Sequence, residues 1–157
     1  MGITVEKMTD DDVKLAAALE RECFSAPWSE NMINSERVNP AVSFFSAKKD
    51  GEFIGHAGMI TVLDEAHVYN IAVSPDARRQ GVGKALVDAM KAECEKRGVL
   101  TLMLEVRASN SAAISLYEKC GFEKAGERKN FYSAPREDGF MYNYYFKRKA
   151  DNENTRH

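Results

Sequence analysis

A chain of 157 residues, 44% hydrophobic and 29% charged, fills one hydrophobic core well and two poorly, so a single domain over residues 1–149 with a short polar tail at 150–157 is expected. The formal net charge of −2 excludes a protein that coats nucleic acid through a basic surplus, and no apolar run approaches the length of a bilayer span. The N-terminal stretch is too acidic for a secretory leader, and Cys23, Cys94 and Cys120 are widely spaced within apolar helical patterns, so buried thiols in a soluble cytoplasmic protein are expected. His56, His67 and His157 show no metal-ligand spacing.

Residues 3–8 alternate as a strand does, and Thr9 or Asp10 caps a helix carrying Val13, Leu15, Ala16, Leu19 and Cys23 on its apolar face. Ala26-Pro27-Trp28 breaks it, and Ser29 caps a second short helix that Asn39-Pro40 ends. Trp28 therefore falls in a loop between helices, where two readings stand side by side: a lid on the core, or a wall of a substrate groove. Residues 42–48 and 53–62 form a hairpin turned by Asp50-Gly51, in which Gly55 and Gly58 signal a bulge or close packing. Asp64-Glu65 turns the chain into a strand over 67–73, with His56 and His67 expected on strand surfaces. Val82, Leu86, Ala89, Met90 and Cys94 then recur at helical spacing up to Gly98, a C-cap. A nearly apolar strand, 99–106, is interrupted by Glu105, and a helix capped by Ser109 or Asn110 ends at Cys120-Gly121. Phe122 opens another strand, 129–139 is a polar loop, and the aromatic 140–146 is the last strand. The order βααβββαβαββ describes an α+β fold, a mixed, mostly antiparallel central sheet flanked by helices.

The stretch NIAVSPDARRQGVGKAL, residues 70–86, joins a short strand to a helix through a basic, glycine-punctuated turn. A helix that starts there points free N–H groups and the positive end of its dipole outward, and Arg78 and Arg79 add charge suited to phosphate oxygens. Gly81 and Gly83, without Cβ atoms, let backbone approach a ligand. Two familiar phosphate loops fail on the letters. A Walker loop needs Gly at 78 and Ser or Thr at 85, where Arg78 and Ala85 stand. A dinucleotide fingerprint needs Gly or Ala at 86, where Leu86 stands.

The letters Arg78-x-x-Gly81-x-Gly83 instead resemble the coenzyme loop of the GNAT superfamily of N-acetyltransferases, and the element order is similar over nearly the whole chain. LEVRASNSAAISLYEKCGF at 104–122, APWSE at 26–30 and Asn130-Phe131-Tyr132 resemble one bacterial branch, the RimI enzymes that acetylate the N-terminal alanine of a small-subunit ribosomal protein. The final strand and the polar tail depart from that pattern. The resemblance implies acetyl-coenzyme A as co-substrate, held by Ile71, Ala72, Val73, Arg78, Arg79, Gln80, Gly81, Val82, Gly83, Lys84 and Asn110. It implies Glu105 as proton acceptor and Tyr117 as proton donor, with a ribosomal-protein N-terminus as partner and no metal, nucleic acid or membrane. From the residues alone, Glu105 is equally a solvent-side partner of Arg107, Tyr117 an ordinary helix tyrosine, and Asn110 a cap. Loop position adds Trp28, Glu65 and Tyr132 as lining of an acceptor groove. A lysine or small-amine acetyltransferase, or a coenzyme-binding module without catalysis, is the alternative.

Overall fold

The computed structural model describes residues 2–147, so the expected tail at 150–157 lies outside the described residues. The elements follow as β1 (Ile3–Lys7), α1 (Asp10–Cys23), α2 (Glu30–Arg37), β2 (Val42–Lys49), β3 (Glu52–Val62), β4 (Glu65–Val73), a tight helical turn at Pro75–Ala77, α3 (Val82–Arg97), β5 (Thr101–Arg107), α4 (Ser111–Lys119), β6 (Glu123–Ser133) and β7 (Arg136–Tyr145). The strands form one seven-stranded sheet in the order β1-β2-β3-β4-β5-β7-β6. Neighbours are antiparallel except β4 and β5, which run parallel because α3 carries the chain back between them. The fold is the expected α+β arrangement.

Alternation along β2 shows how the sheet is covered. Phe45 and Ala47 enter the larger core cluster with Val82, Leu86, Val87 and Met90 of α3, while Val42 and Phe44 enter a second cluster with Val13, Ala16 and Ala17 of α1. β3 is therefore covered on both faces, and His56, expected on a strand surface, is only 2% exposed beneath α1. Gly58 sits where a Cβ would lie 2.5 Å from Cε1 of Phe44, the close packing its position signalled. Among the cysteines only Cys94 is fully buried; Cys23 and Cys120 keep partial exposure, and all three are free thiols.

Three boundaries differ from expectation. β4 begins at Glu65, because Leu63, with φ of 57°, tightens the preceding turn. Residues 129–139 are not a loop: β6 runs on to Ser133 and β7 starts at Arg136. The polar letters lie on an edge strand open to water, where alternation has no core to report, and a register shift between Arg128 and Tyr132 accommodates Asn130 at φ 54°. β5 alternates between buried and half-buried residues instead of being covered throughout. Leu102, Leu104 and Val106 face the α3 core; Met103, Glu105 and Arg107 face the other side.

Asp12 ties α1 to the sheet. Its Oδ2 accepts from the Thr9 N–H at 3.1 Å and from the Ser46 hydroxyl at 2.9 Å, and Lys48 Nζ lies 3.2 Å from Oδ1. Burial alone would raise the carboxyl's pKa, but these bonds together hold it below its ordinary 3.8. The charged form is thus favoured by folding, so its contribution is present above pH 3.8 and lost as pH falls through the depressed value. Asp12→Ala should lower unfolding free energy by about 2–3 kcal/mol in urea titrations at pH 7. The gap should narrow below pH 3.8.

Candidate active site

β4 and β5 pair over only three positions, Glu65↔Thr101, Ala66↔Leu102 and His67↔Met103. Beyond them the strands part, β4 running on to Val73 and β5 to Arg107, and the sheet is split at the carboxyl ends of its parallel pair. On the β4 side, the Ser74 N–H bonds Ile54 O at 2.8 Å. Strand alternation then turns Ala72 toward β3 and the N–H groups of Ile71 and Val73 into the split.

The basic loop lies where β4 ends. Arg78 Nε donates to Val73 O at 3.4 Å, and Arg79 takes φ 66°. Gln80 accepts from Lys49 Nζ at 3.1 Å, which brings a cation from the β2–β3 turn that the loop's own letters do not contain. Gly81, with φ 85° and open space around it, makes the left-handed turn into α3. Gly83 has a different reason. A Cβ there would meet Cδ2 of Leu116 at 2.8 Å, so the missing Cβ makes room for α4. The first bond within α3 is Ala85 N–H to Gly81 O, leaving the N–H groups of Val82, Gly83 and Lys84 without helical partners. α1 opens with three aspartates, α2 is capped by Ser29 and α4 by Asn110. α3 has neither a capping side chain nor an acid in its first turn, so its positive end is unneutralised. Lys84 points along the helix to Asp88 at 2.8 Å.

On the β5 side, Glu105 is half-buried opposite Met141 of β7. Tyr117 of α4 packs on Phe122, 5.8 Å between ring centroids, and its hydroxyl bonds to no described residue. Burial pushes its phenol above the ordinary value, reinforced by Tyr132; Tyr132 is itself raised by burial and then by the Glu105 carboxylate. Tyr132 thus lies within electrostatic reach of both Glu105 and Tyr117. Asn110 caps α4, its Oδ1 accepting from Ala113 N–H at 3.2 Å.

The partner expected for Glu105, Arg107, is engaged elsewhere. Its guanidinium donates to Pro135 O at 2.9 Å, Ala134 O at 3.2 Å, Glu137 Oε1 at 3.3 Å and Ser25 Oγ at 3.4 Å, and stacks 4.4 Å from the Tyr132 ring centroid. One side chain therefore joins the β6–β7 tip to the α1–α2 loop across the rim. The Ser109 hydroxyl and N–H, together with Arg107, hold the Glu137 carboxyl below its ordinary range. Trp28 packs into the second core cluster, 4.6 Å from Tyr69 and 6.0 Å from Phe44 between centroids, and keeps part of its surface open. Glu65 is not brought to this place. It is exposed at the closed end of the split, opposite Thr101, roughly 26 Å of extended strand from Val73 at about 3.3 Å per residue.

A parallel pair split around free strand amides, with an uncapped helix N-terminus following β4, is an arrangement able to hold an acyl donor that carries phosphate. The chain belongs to the Acetyltransferase (GNAT) family, whose profile matches residues 13–122. It is 43% identical over 136 residues to the ribosomal protein bS18-alanine N-acetyltransferase of Escherichia coli K12, covering 87% of this chain and 90% of that one. The enzyme of the same name from Salmonella typhimurium is 40% identical over 131 residues, 82% of this chain and 86% of that one. The crystal structure of the Escherichia coli ribosomal-protein-S18-alanine N-acetyltransferase superposes with a TM-score of 0.86 at 39% identity, over 96% of this chain and 98% of that one.

Sequence reading took Arg107 only as a solvent-side partner of Glu105 and did not single out Ser25 or Lys49. Arg107 had a signal, since it stands two residues after Glu105 and so on the same face of β5. Lys49 and Ser25 had none, because their partners lie far away in sequence.

Proposed function

We propose that the protein moves the acetyl group of acetyl-coenzyme A to the N-terminal amine of an alanine-first ribosomal protein, the counterpart of the bS18 named for its relatives. The observation that supports this reading is a β4–β5 pair that parts beyond His67 next to the uncapped N-terminus of α3, with Tyr132 in electrostatic reach of both Glu105 and Tyr117. The donor set suits the coenzyme: the unpartnered N–H groups of Val82, Gly83 and Lys84, with Arg78 and Arg79 nearby, match a pyrophosphate, and Asn110 at the start of α4 would add a further contact. The N–H of Ile71 or Val73 would donate to the thioester carbonyl as negative charge develops on it.

A terminal α-amine has a pKa of about 7.7–8.0 against about 10.4 for lysine, so a large share is neutral at physiological pH. As its nitrogen bonds the acetyl carbon, Glu105 takes the proton released from nitrogen, directly or through one water. The carbon–sulfur bond breaks, and Tyr117 gives its phenolic proton to the departing thiolate. The acceptor supplies the neutral amine, and this chain's own groups supply the carboxylate base and the protonated phenol.

The acceptor groove lies between Trp28 on the α1–α2 loop and Tyr132 near the β6–β7 tip; Glu65 has no part in it. Trp28→Ala should raise the KM for an alanine-first peptide about tenfold, with the acetyl-coenzyme A dissociation constant changed less than twofold, by initial-rate kinetics and calorimetry. Equal changes in both would place Trp28 outside the acceptor side. The function itself is tested by offering acetyl-coenzyme A with alanine-first peptides, N-terminally blocked lysine peptides and polyamines, and locating the acetyl group by mass spectrometry. Acetylation restricted to lysine or polyamine nitrogen would overturn the reading.

A further inference from the structure

Beneath the α1–α2 loop lies a charged group that the chemistry above does not use. Glu20 of α1 is fully buried, yet it makes three polar approaches. Its Oε1 accepts from the Trp28 backbone N–H at 2.9 Å and from Asn70 Nδ2 at 2.9 Å, while its Oε2 faces His56 Nε2 at 3.2 Å. The contact with His56 falls short of hydrogen-bond geometry, and neither imidazole nitrogen has another partner among the described residues. Trp28, Ile33, Phe44 and Tyr69 close the space around the group too tightly to admit water.

Burying a carboxylate costs several kcal/mol, and an apolar side chain of the same volume commonly packs as well or better. Stability alone is therefore a poor reason for Glu20. What the carboxylate does geometrically is specific. One oxygen holds two pieces of the site: the loop that carries Trp28, through backbone, and the β4 residue immediately before Ile71, through side chain. Trp28 stands on the acceptor side and Ile71 on the acetyl side. The enclosed position keeps Glu20 from touching either substrate.

We propose that Glu20 is a positioning residue for the acceptor side, with His56 backing its second oxygen and Asn70 linking it to β4. It fixes the Trp28 loop at the distance from β4 that a peptide N-terminus requires. Arg107 holds the same loop from the opposite side, through Ser25, so the loop is tied at both ends of its span. This inference rests on the acceptor reading given above.

Trp28 is the chain's one tryptophan, so its fluorescence reports the loop without any substrate. Glu20→Leu should shift Trp28 emission to the red in the free protein. It should also raise the KM for an alanine-first peptide about tenfold, the size of one lost charge-assisted hydrogen bond, with acetyl-coenzyme A affinity within about twofold of wild type. Glu20→Gln keeps an oxygen acceptor and should restore both emission and KM. Asn70→Ala, which removes one of the two bonds at a less buried residue, should move both in the same direction by a smaller factor, and decides the matter if Glu20→Leu does not fold. Unchanged emission and KM in Asn70→Ala and Glu20→Leu would overturn the proposal, as would a parallel fall in coenzyme affinity or a failure of Glu20→Gln to rescue. If wild type leaves alanine-first peptides unmodified, the functional reading fails, and Trp28 emission still judges whether Glu20 holds the loop.

Discussion

Glu105→Gln is expected to lower kcat by about two to three orders of magnitude while leaving acetyl-coenzyme A affinity nearly unchanged, the span usual for loss of a positioned general base. The amide keeps the size of the side chain and its place opposite Met141 on β5, so neither the split nor the α3 N-terminus is disturbed. The defect should shrink as pH rises past the amine's pKa of about 8, because proton removal then becomes less demanding. Stopped-flow or steady-state rates from pH 6.5 to 9.5 test both statements. A uniform loss at every pH would make Glu105 a binding group for the acceptor, and full activity would remove it from the mechanism.

Tyr117→Phe is expected to lower kcat by about tenfold to a hundredfold without loss of stability. Its hydroxyl bonds to no described residue, so deletion breaks no bond in the free protein, and chemical denaturation should give an unfolding free energy equal to wild type or slightly higher. A role confined to packing predicts the opposite pattern, intact kcat with altered stability. The direction of the phenol's pKa also fixes the alkaline limb. Burial raises it above the ordinary 10.0, so the protonated donor persists throughout the range in which the amine becomes neutral. Wild-type kcat should rise with pH and then hold level up to pH 10.0; a fall near pH 9 would assign the leaving-group proton to some other residue.

The fold was legible because most elements report themselves locally. Asp10–Cys23 and Val82–Arg97 carry helical spacing, Ser29 and Asn110 are caps that function as caps, and Gly98 closes α3 with φ 74°. Legibility failed where exposure erased the pattern. Residues 129–133 are strand, but on an edge whose side chains nearly all face water, and polar letters there look the same as a loop. His56 misled for the converse reason. Its strand alternates normally, and nothing in the local letters says that α1 will cover the second face. The basic loop over residues 78–84 was readable as a contiguous motif, though Gly83 serves packing against Leu116. The rim that carries Trp28 was readable only in part. Its organisation depends on Arg107 reaching residues 25, 134, 135 and 137, and on Glu20 meeting residues 28, 56 and 70, contacts that no spacing rule connects.

The three-residue length of the β4–β5 ladder has a consequence for amide exchange. Interior strands normally protect every backbone proton from solvent deuterium, because each has a neighbour on both sides. β4 has a neighbour on both sides only as far as His67. The amides of Ile71 and Val73 should therefore exchange quickly for residues so central, while that of Ala72, turned toward β3, exchanges slowly. An every-other-residue protection pattern along 71–73, abolished when a donor molecule occupies the split, would be the solution signature of a sheet whose missing hydrogen bonds are completed by its substrate.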